Sequence, residues 1–153
     1  MVKNKQKIDD LDTKILNSLI LNAKQSYRKL AKSLHVSVGT IMKRVRELEN
    51  KGIIKGYSTK IDYEKLGYDF KVIVEVRVSK GKLFEAENKI SLSKEVFGVY
   101  DQTGAFDATL IARFKNRRSL DEFIKKLQKL EYVERTETKF ILNTIKEENQ
   151  KLI

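Results

Sequence analysis

Residues 35–52 read HVSVGTIMKRVRELENKG, and the fold turns on how that stretch is read. Val38, Ile41, Val45 and Leu48 recur at helical spacing, with Lys43, Arg44 and Arg46 between them, so the segment predicts an amphipathic helix with a cationic side. Ser37 is placed as its N-cap, and Gly52 as the residue that ends it in the left-handed conformation. Upstream, Ser26 is the expected cap of a short helix with Tyr27, Leu30, Ala31 and Leu34 on its inner side. HVS is then a three-residue turn. A first helix is expected from Asp9 or Asp10, because acidic residues favour a helix N-terminus and Leu11, Ile15, Leu19 and Ile20 follow as an apolar stripe. Three short helices with a tight turn before the last are the order of a helix-turn-helix.

Charge supports giving that segment a separate role. The chain has 153 residues and a net charge of +11. Residues 1–60 hold 14 basic and 5 acidic side chains (+9), whereas residues 61–153 hold 18 and 16 (+2). An excess confined to one small module implies that this module faces a polyanion and that the remainder does something else. There is no cysteine, which excludes disulfides, thiol nucleophiles and Cys-based metal sites. The basic N-terminus MVKNKQKIDD lacks the apolar run of a signal peptide, and no segment approaches the roughly 20 apolar residues of a membrane span. A cytoplasmic protein is the expectation, with no membrane partner.

Beyond Gly52 the pattern changes. IIKGYSTKI is expected as a strand or an extended connector, and DYEKLGYD as a linker. From Lys71, Val72, Val74, Val76 and Val78 alternate with Ile73, Glu75 and Arg77, the period of a strand with one buried face. KLFEAENKISL predicts a helix with Leu83, Phe84, Ala86 and Ile90 inward. Two strands are expected around 97–102 and 106–114, joined by a short connection containing TGA. SLDE at 119–122 reads as a capping box opening a helix with Leu120, Phe123, Ile124, Leu127 and Leu130 in its stripe. VERTETKFIL closes the pattern as a strand. The fold class is therefore α+β: a helix-turn-helix domain over 1–56, a strand or linker over 57–70, and a ferredoxin-like βαββαβ domain over 71–153. The sheet face bearing Ile73, Ile111 and Ile141 needs a cover, and a second copy of the chain supplies one.

These residues resemble a known family. LAKSLHVSVGTIMKRVRELENKGIIKGY joined to a βαββαβ domain with TGAFD in its central hairpin looks like the Lrp/AsnC (feast/famine) transcription regulators. The resemblance spans residues 9 to about 145. It implies a winged-helix-like reader of double-stranded DNA, a homodimer that assembles further into tetramers or octamers, and an effector-binding second domain of the RAM type. In a helix-turn-helix the N-terminal end of the second motif helix enters the major groove, placing Ser37, Val38, Gly39, Thr40 and Lys43 nearest the base edges. Arg44 and Arg46 lie further along, for bases or phosphates. Ser26, Tyr27 and Arg28 open the preceding helix, where the phosphate backbone passes. For the effector, an amino acid or another small molecule, the resemblance implies Tyr100, Gln102, Thr103, Gly104, Ala105, Asp107, Thr136 and Thr138. Family members commonly carry an acidic residue where this chain has Ala105, which removes the natural partner of an ammonium group and leaves Asp101 or Asp107 to replace it.

Neither a cofactor nor a metal is implied. Two other readings use the same architecture. Siroheme decarboxylases share it, but acid-base chemistry of that kind calls for His or clustered Arg, and residues 61–153 contain no His. A non-specific DNA-architectural protein is compatible with the +9 module. His35, the single histidine, sits in a turn and receives no catalytic role.

Overall fold

The computed structural model describes residues 6–79, 81–147 and 151–152; the terminal parts of the 1–56 and 71–153 assignments lie in part outside them. The chain forms two compact units, one of residues 1–60 with 146–153 and one of residues 61–145.

In the first unit, α1 (Asp10–Leu21), α2 (Tyr27–Ser33) and α3 (Val38–Asn50) each begin at a side-chain cap. Asp9 Oδ1 accepts from the Asp12 amide at 2.8 Å while the Asp9 amide donates to Asp12 Oδ2 at 3.2 Å, a reciprocal box. Ser26 Oγ accepts from the Lys29 amide and Ser37 Oγ from the Thr40 amide. His35, at φ 55°, makes the turn between α2 and α3. Gly52, at φ 67°, closes α3: its amide donates to the Glu49 carbonyl and the Ile53 amide to the Leu48 carbonyl, the paired bonds of a Schellman ending. The chain then runs as an extended connector. Ile15, Leu16, Leu19, Leu30, Ala31, Ile41, Val45 and Leu48 form the core, with Ile53 and Ile54 against it. Asn17 Nδ2 donates to the Leu152 carbonyl at 3.0 Å and Asn17 Oδ1 accepts from the Leu152 amide at 2.8 Å, so residues 151–152 lie along α1.

The second unit opens on a single 3-10 turn (Glu64–Leu66). It continues as β1 (Phe70–Val78), α4 (Leu83–Ser91), β2 (Val96–Asp101), β3 (Ala108–Phe114), α5 (Arg117–Gln128) and β4 (Val133–Phe140). The sheet order is β2-β3-β1-β4, all neighbours antiparallel, which is the ferredoxin-like topology. Val72, Val74, Val76 and Val78 of β1 and Ala108, Leu110, Ala112 and Phe114 of β3 are buried against Ala86, Ile90, Leu120, Phe123 and Leu127 of the helices.

Two expectations are corrected. Phe84 is 76% exposed, because α4 buries the Leu83, Ala86, Ile90 side and Phe84 lies about 200° from Ala86 around the helix. SLDE does not open α5: Asn116 Oδ1 accepts from the Ser119 amide, starting the helix at Arg117 and leaving Ser119 inside its first turn. Phe114 is fully buried with its ring centroid 5.3 Å from that of Phe123. Phe114→Ala is therefore expected to destabilise the second unit by about 3–5 kcal/mol, read by denaturant unfolding.

Candidate nucleic-acid interface

The core of the first unit fixes which side of α3 is free. Ile41, Val45 and Leu48 are buried, so Gly39, Lys43 and Arg46 project from the opposite side. Val38, expected in the apolar stripe as well as at the reading end, is 37% exposed and packs only at the edge. Met42 is 50% exposed between Val38 and Arg46. Sequence reading does not single it out; the signal for it is its position four residues after Val38 and four before Arg46, on one line of the helix. Ser37 at the start of α3, and Ser26, Tyr27 and Arg28 at the start of α2, are all exposed; Ser26 and Tyr27 line a pocket with Tyr57, which reaches Glu49 near the far end of α3. Thr40 is half-buried with its hydroxyl 2.9 Å from Ser37 Oγ.

Gly39 has no internal reason to be glycine. A Cβ there would meet only Ser37 Oγ at an ordinary 3.7 Å. Alanine would favour the helix by about 1 kcal/mol, so the missing side chain leaves room on the outer surface at an energetic cost to the helix.

The three cations of α3 do not share one situation. Arg44 leans toward α1, where Nη1 lies 2.6 Å from Asp9 Oδ2 and 3.2 Å from Asp12 Oδ1. Asp12 is only 4% exposed, the one buried charged residue among those described. Its carboxylate therefore closes the cap of α1 and holds the guanidinium of α3 together. The bond from the Asp12 amide, followed by the bond and charge of Arg44, holds the Asp9 carboxyl below its ordinary range. Arg44 is raised, chiefly by its hydrogen bond to Asp9. Lys43 and Arg46 make no ion pair among the described residues, and both face outward. Next to this surface, Tyr57 donates to Glu49 Oε1 at 2.9 Å. Burial, then that carboxylate, push its phenol up to about 12.

The residues that the resemblance implies for an effector are distributed over both faces of the sheet in the second unit. Thr136 and Thr138 lie opposite Val76 and Val74, on the helix-covered face, and Thr136 Oγ1 accepts from Gln128 Nε2 of α5. Tyr100 lies opposite Thr109 on the other face, where Gln102 Oε1 accepts from the Thr109 hydroxyl at 2.5 Å. Thr103, Gly104 and Ala105 form the exposed bend between β2 and β3. Asp107 is already engaged: Oδ2 accepts from the Val78 amide at 2.8 Å, and its own amide donates to the Val76 carbonyl. The less committed acid beside the hairpin is Asp101, near Glu87 of α4, whose carboxyl is raised by burial and then by the Asp101 charge. Glu87 is not foreseen from the sequence, because its nearness to Asp101 arises only when α4 packs on β2.

Among the described residues no helix is long and apolar enough to cross a membrane. Comparison with known proteins matches both units. A family model described as winged helix-turn-helix DNA-binding matches residues 8–55, and one described as the Lrp/AsnC ligand binding domain matches residues 71–151. An HTH-type transcriptional regulator of Pyrococcus furiosus, itself described as uncharacterized, is 43% identical over 92% of this chain and 95% of its own. The HTH-type transcriptional regulator Ptr1 of Methanocaldococcus jannaschii is 34% identical over 92% of this chain and 95% of its own. The solved structure of AsnC from E. coli superposes with a TM-score of 0.89 at 30% identity, covering 96% of this chain and all of that one.

Proposed function

Because the chain belongs to the Lrp/AsnC family of DNA-binding transcriptional regulators, we propose that it acts as a homodimer presenting two copies of α3 to a pseudo-palindromic site. The observation that carries the reading is the outward face of α3, where Val38, Gly39, Met42, Lys43 and Arg46 lie clear of the core. Lys43 and Arg46 supply donors for guanine edges or phosphates, and Val38 and Met42 supply apolar contact for thymine methyls. Ser37 and Thr40 complete the base-proximal end, and Ser26, Tyr27 and Arg28 contact the backbone. Arg44 is assigned to holding α3 against α1.

The dimer forms through the sheet face opposite the helices, where Ile73 and Ile111 sit directly across from one another on neighbouring strands and are half-exposed. Such a regulator works in the cytoplasm, as a non-enzyme, with its effector at the β2–β3 hairpin around Tyr100, Gln102, Thr103, Gly104 and Ala105. An ammonium group there meets Asp101, since Ala105 carries no charge and Asp107 is bonded to β1.

The test is selection of bound sites from random DNA followed by footprinting. Two half-sites centred about 34 Å apart, one helical turn, are expected. Binding with no preference above bulk DNA overturns the reading in favour of an architectural role.

A further inference from the structure

The end of the sheet where β3 runs into α5 carries a second basic surface. Lys115, Arg117 and Arg118 follow Phe114 directly, and all three are exposed. Lys94, also exposed, lies beside them, because the Arg113 amide donates to the Glu95 carbonyl at 2.9 Å and so pairs the approach to β2 with the end of β3. The acids in the neighbourhood are Asp69, Glu95, Asp121 and Glu122, of which Asp121 is paired with Lys125 at 2.6 Å and Glu122 with Arg118 at 3.0 Å. The 61–153 segment as a whole is nearly neutral, so this corner is a local concentration.

Two features here run against the stability of the unit. The first turn of α5 holds Arg117 and Arg118 and no acidic residue, although the helix dipole favours the reverse. Lys71 and Arg113 are directly opposite on neighbouring strands, on the same face, where like charges disfavour pairing. The Arg113 guanidinium is held between the rings of Phe97 and Tyr63, at 3.8 and 4.3 Å from their centroids, and Lys115 Nζ lies 5.1 Å from the centre of the Tyr68 ring. The Arg113 and Lys115 cations thus lie against aromatic rings.

We propose that this corner, built on Lys94, Lys115 and Arg117, is a second contact surface for the DNA phosphate backbone, separate from α3 and blind to sequence. It rests on the DNA-binding reading above. Its consequence is that the second unit adds affinity and salt dependence, while base choice stays with α3.

The experiment compares the full chain with Lys94→Gln plus Arg117→Gln, which touches no described side-chain bond, and with Lys115→Gln plus Arg117→Gln. Binding to a selected site is measured from about 50 to 300 mM salt. Each pair is expected to weaken binding at least roughly fivefold and to reduce the salt slope by about 1 per cation removed, with footprint boundaries between half-sites and base preference unchanged. Unchanged affinity and slope in both variants, while Lys43→Ala still abolishes site choice, overturns the second surface and leaves the regulator reading intact. So does a loss of affinity with an unchanged slope. Thermal stabilisation of the wild type by inorganic phosphate, lost in both variants without any change in DNA slope, overturns it in favour of a small phosphorylated ligand. Failure of the wild type to prefer any DNA sequence is the separate failure of the regulator reading.

Discussion

Arg44→Ala is expected to lower the melting temperature of the first unit by roughly 5–10 °C and to weaken DNA binding as a consequence of that loosening. Removing the guanidinium leaves Asp12, buried at the start of α1, without its cationic partner, and leaves Asp9 with only its capping bonds. Arg44→Lys restores only part of the loss, since one ammonium cannot serve both carboxylates in the guanidinium geometry. The same pair gives an acid signature. Asp9 has a folded-state pKa below its unfolded value, so its contribution is present above about pH 4 and is lost as pH falls through the lowered value. Wild-type melting temperature should therefore drop between about pH 4 and pH 2 more steeply than that of Arg44→Ala. Parallel acid profiles for the two proteins, or an Arg44→Ala protein with wild-type melting temperature and weak DNA binding, contradict the structural role and return Arg44 to the DNA surface.

Lys43→Ala plus Arg46→Ala is expected to behave oppositely. Neither side chain makes an internal ion pair among the described residues, so the melting temperature should stay within about 1 °C. Specific-site affinity should fall about 100-fold or more, at roughly 1–3 kcal/mol for each base-edge hydrogen-bonding pair removed, and the salt slope should fall with it. Fluorescence anisotropy with selected and scrambled duplexes separates the two parts of the effect. If the ratio of specific to non-specific binding survives the double substitution, base choice lies elsewhere on α3, and Met42 and Val38 become the residues to exchange.

The contrast between Arg44 and Arg46 shows where sequence reading stops. They sit on α3 two residues apart, about 200° around the helix, and so to different sides of the apolar stripe. Only the packing of α1 distinguishes them, because the flank carrying Arg44 is the flank that meets Asp9 and Asp12. Local chemistry is legible: Ser26 and Ser37 cap because their side chains accept from backbone amides three residues on, and β1 follows from alternation alone. Asn116 escapes such a reading because SLDE has the spacing of a capping box whether or not a helix starts there. Phe84 is misplaced by it because hydrophobicity counts for more than angle on a short helix. The residues that the resemblance implies for an effector follow the same division. Their positions along the strands are readable from the resemblance, but the use of the Asp107 carboxylate by the Val78 amide depends on an approach between residues 29 apart in the chain.

The pairing of Asn17 with Leu152 bears on synthesis. The first unit is assembled from residues 1–60 and 146–153, so everything needed for its three helices leaves the ribosome early while the segment lying along α1 leaves only after the whole of the second unit. During translation the residues of α3 are therefore complete before Leu152 exists to meet the Asn17 side chain. A nascent chain stalled before residue 146 thus carries the three helices of the first unit without the clasp that Asn17 makes with Leu152.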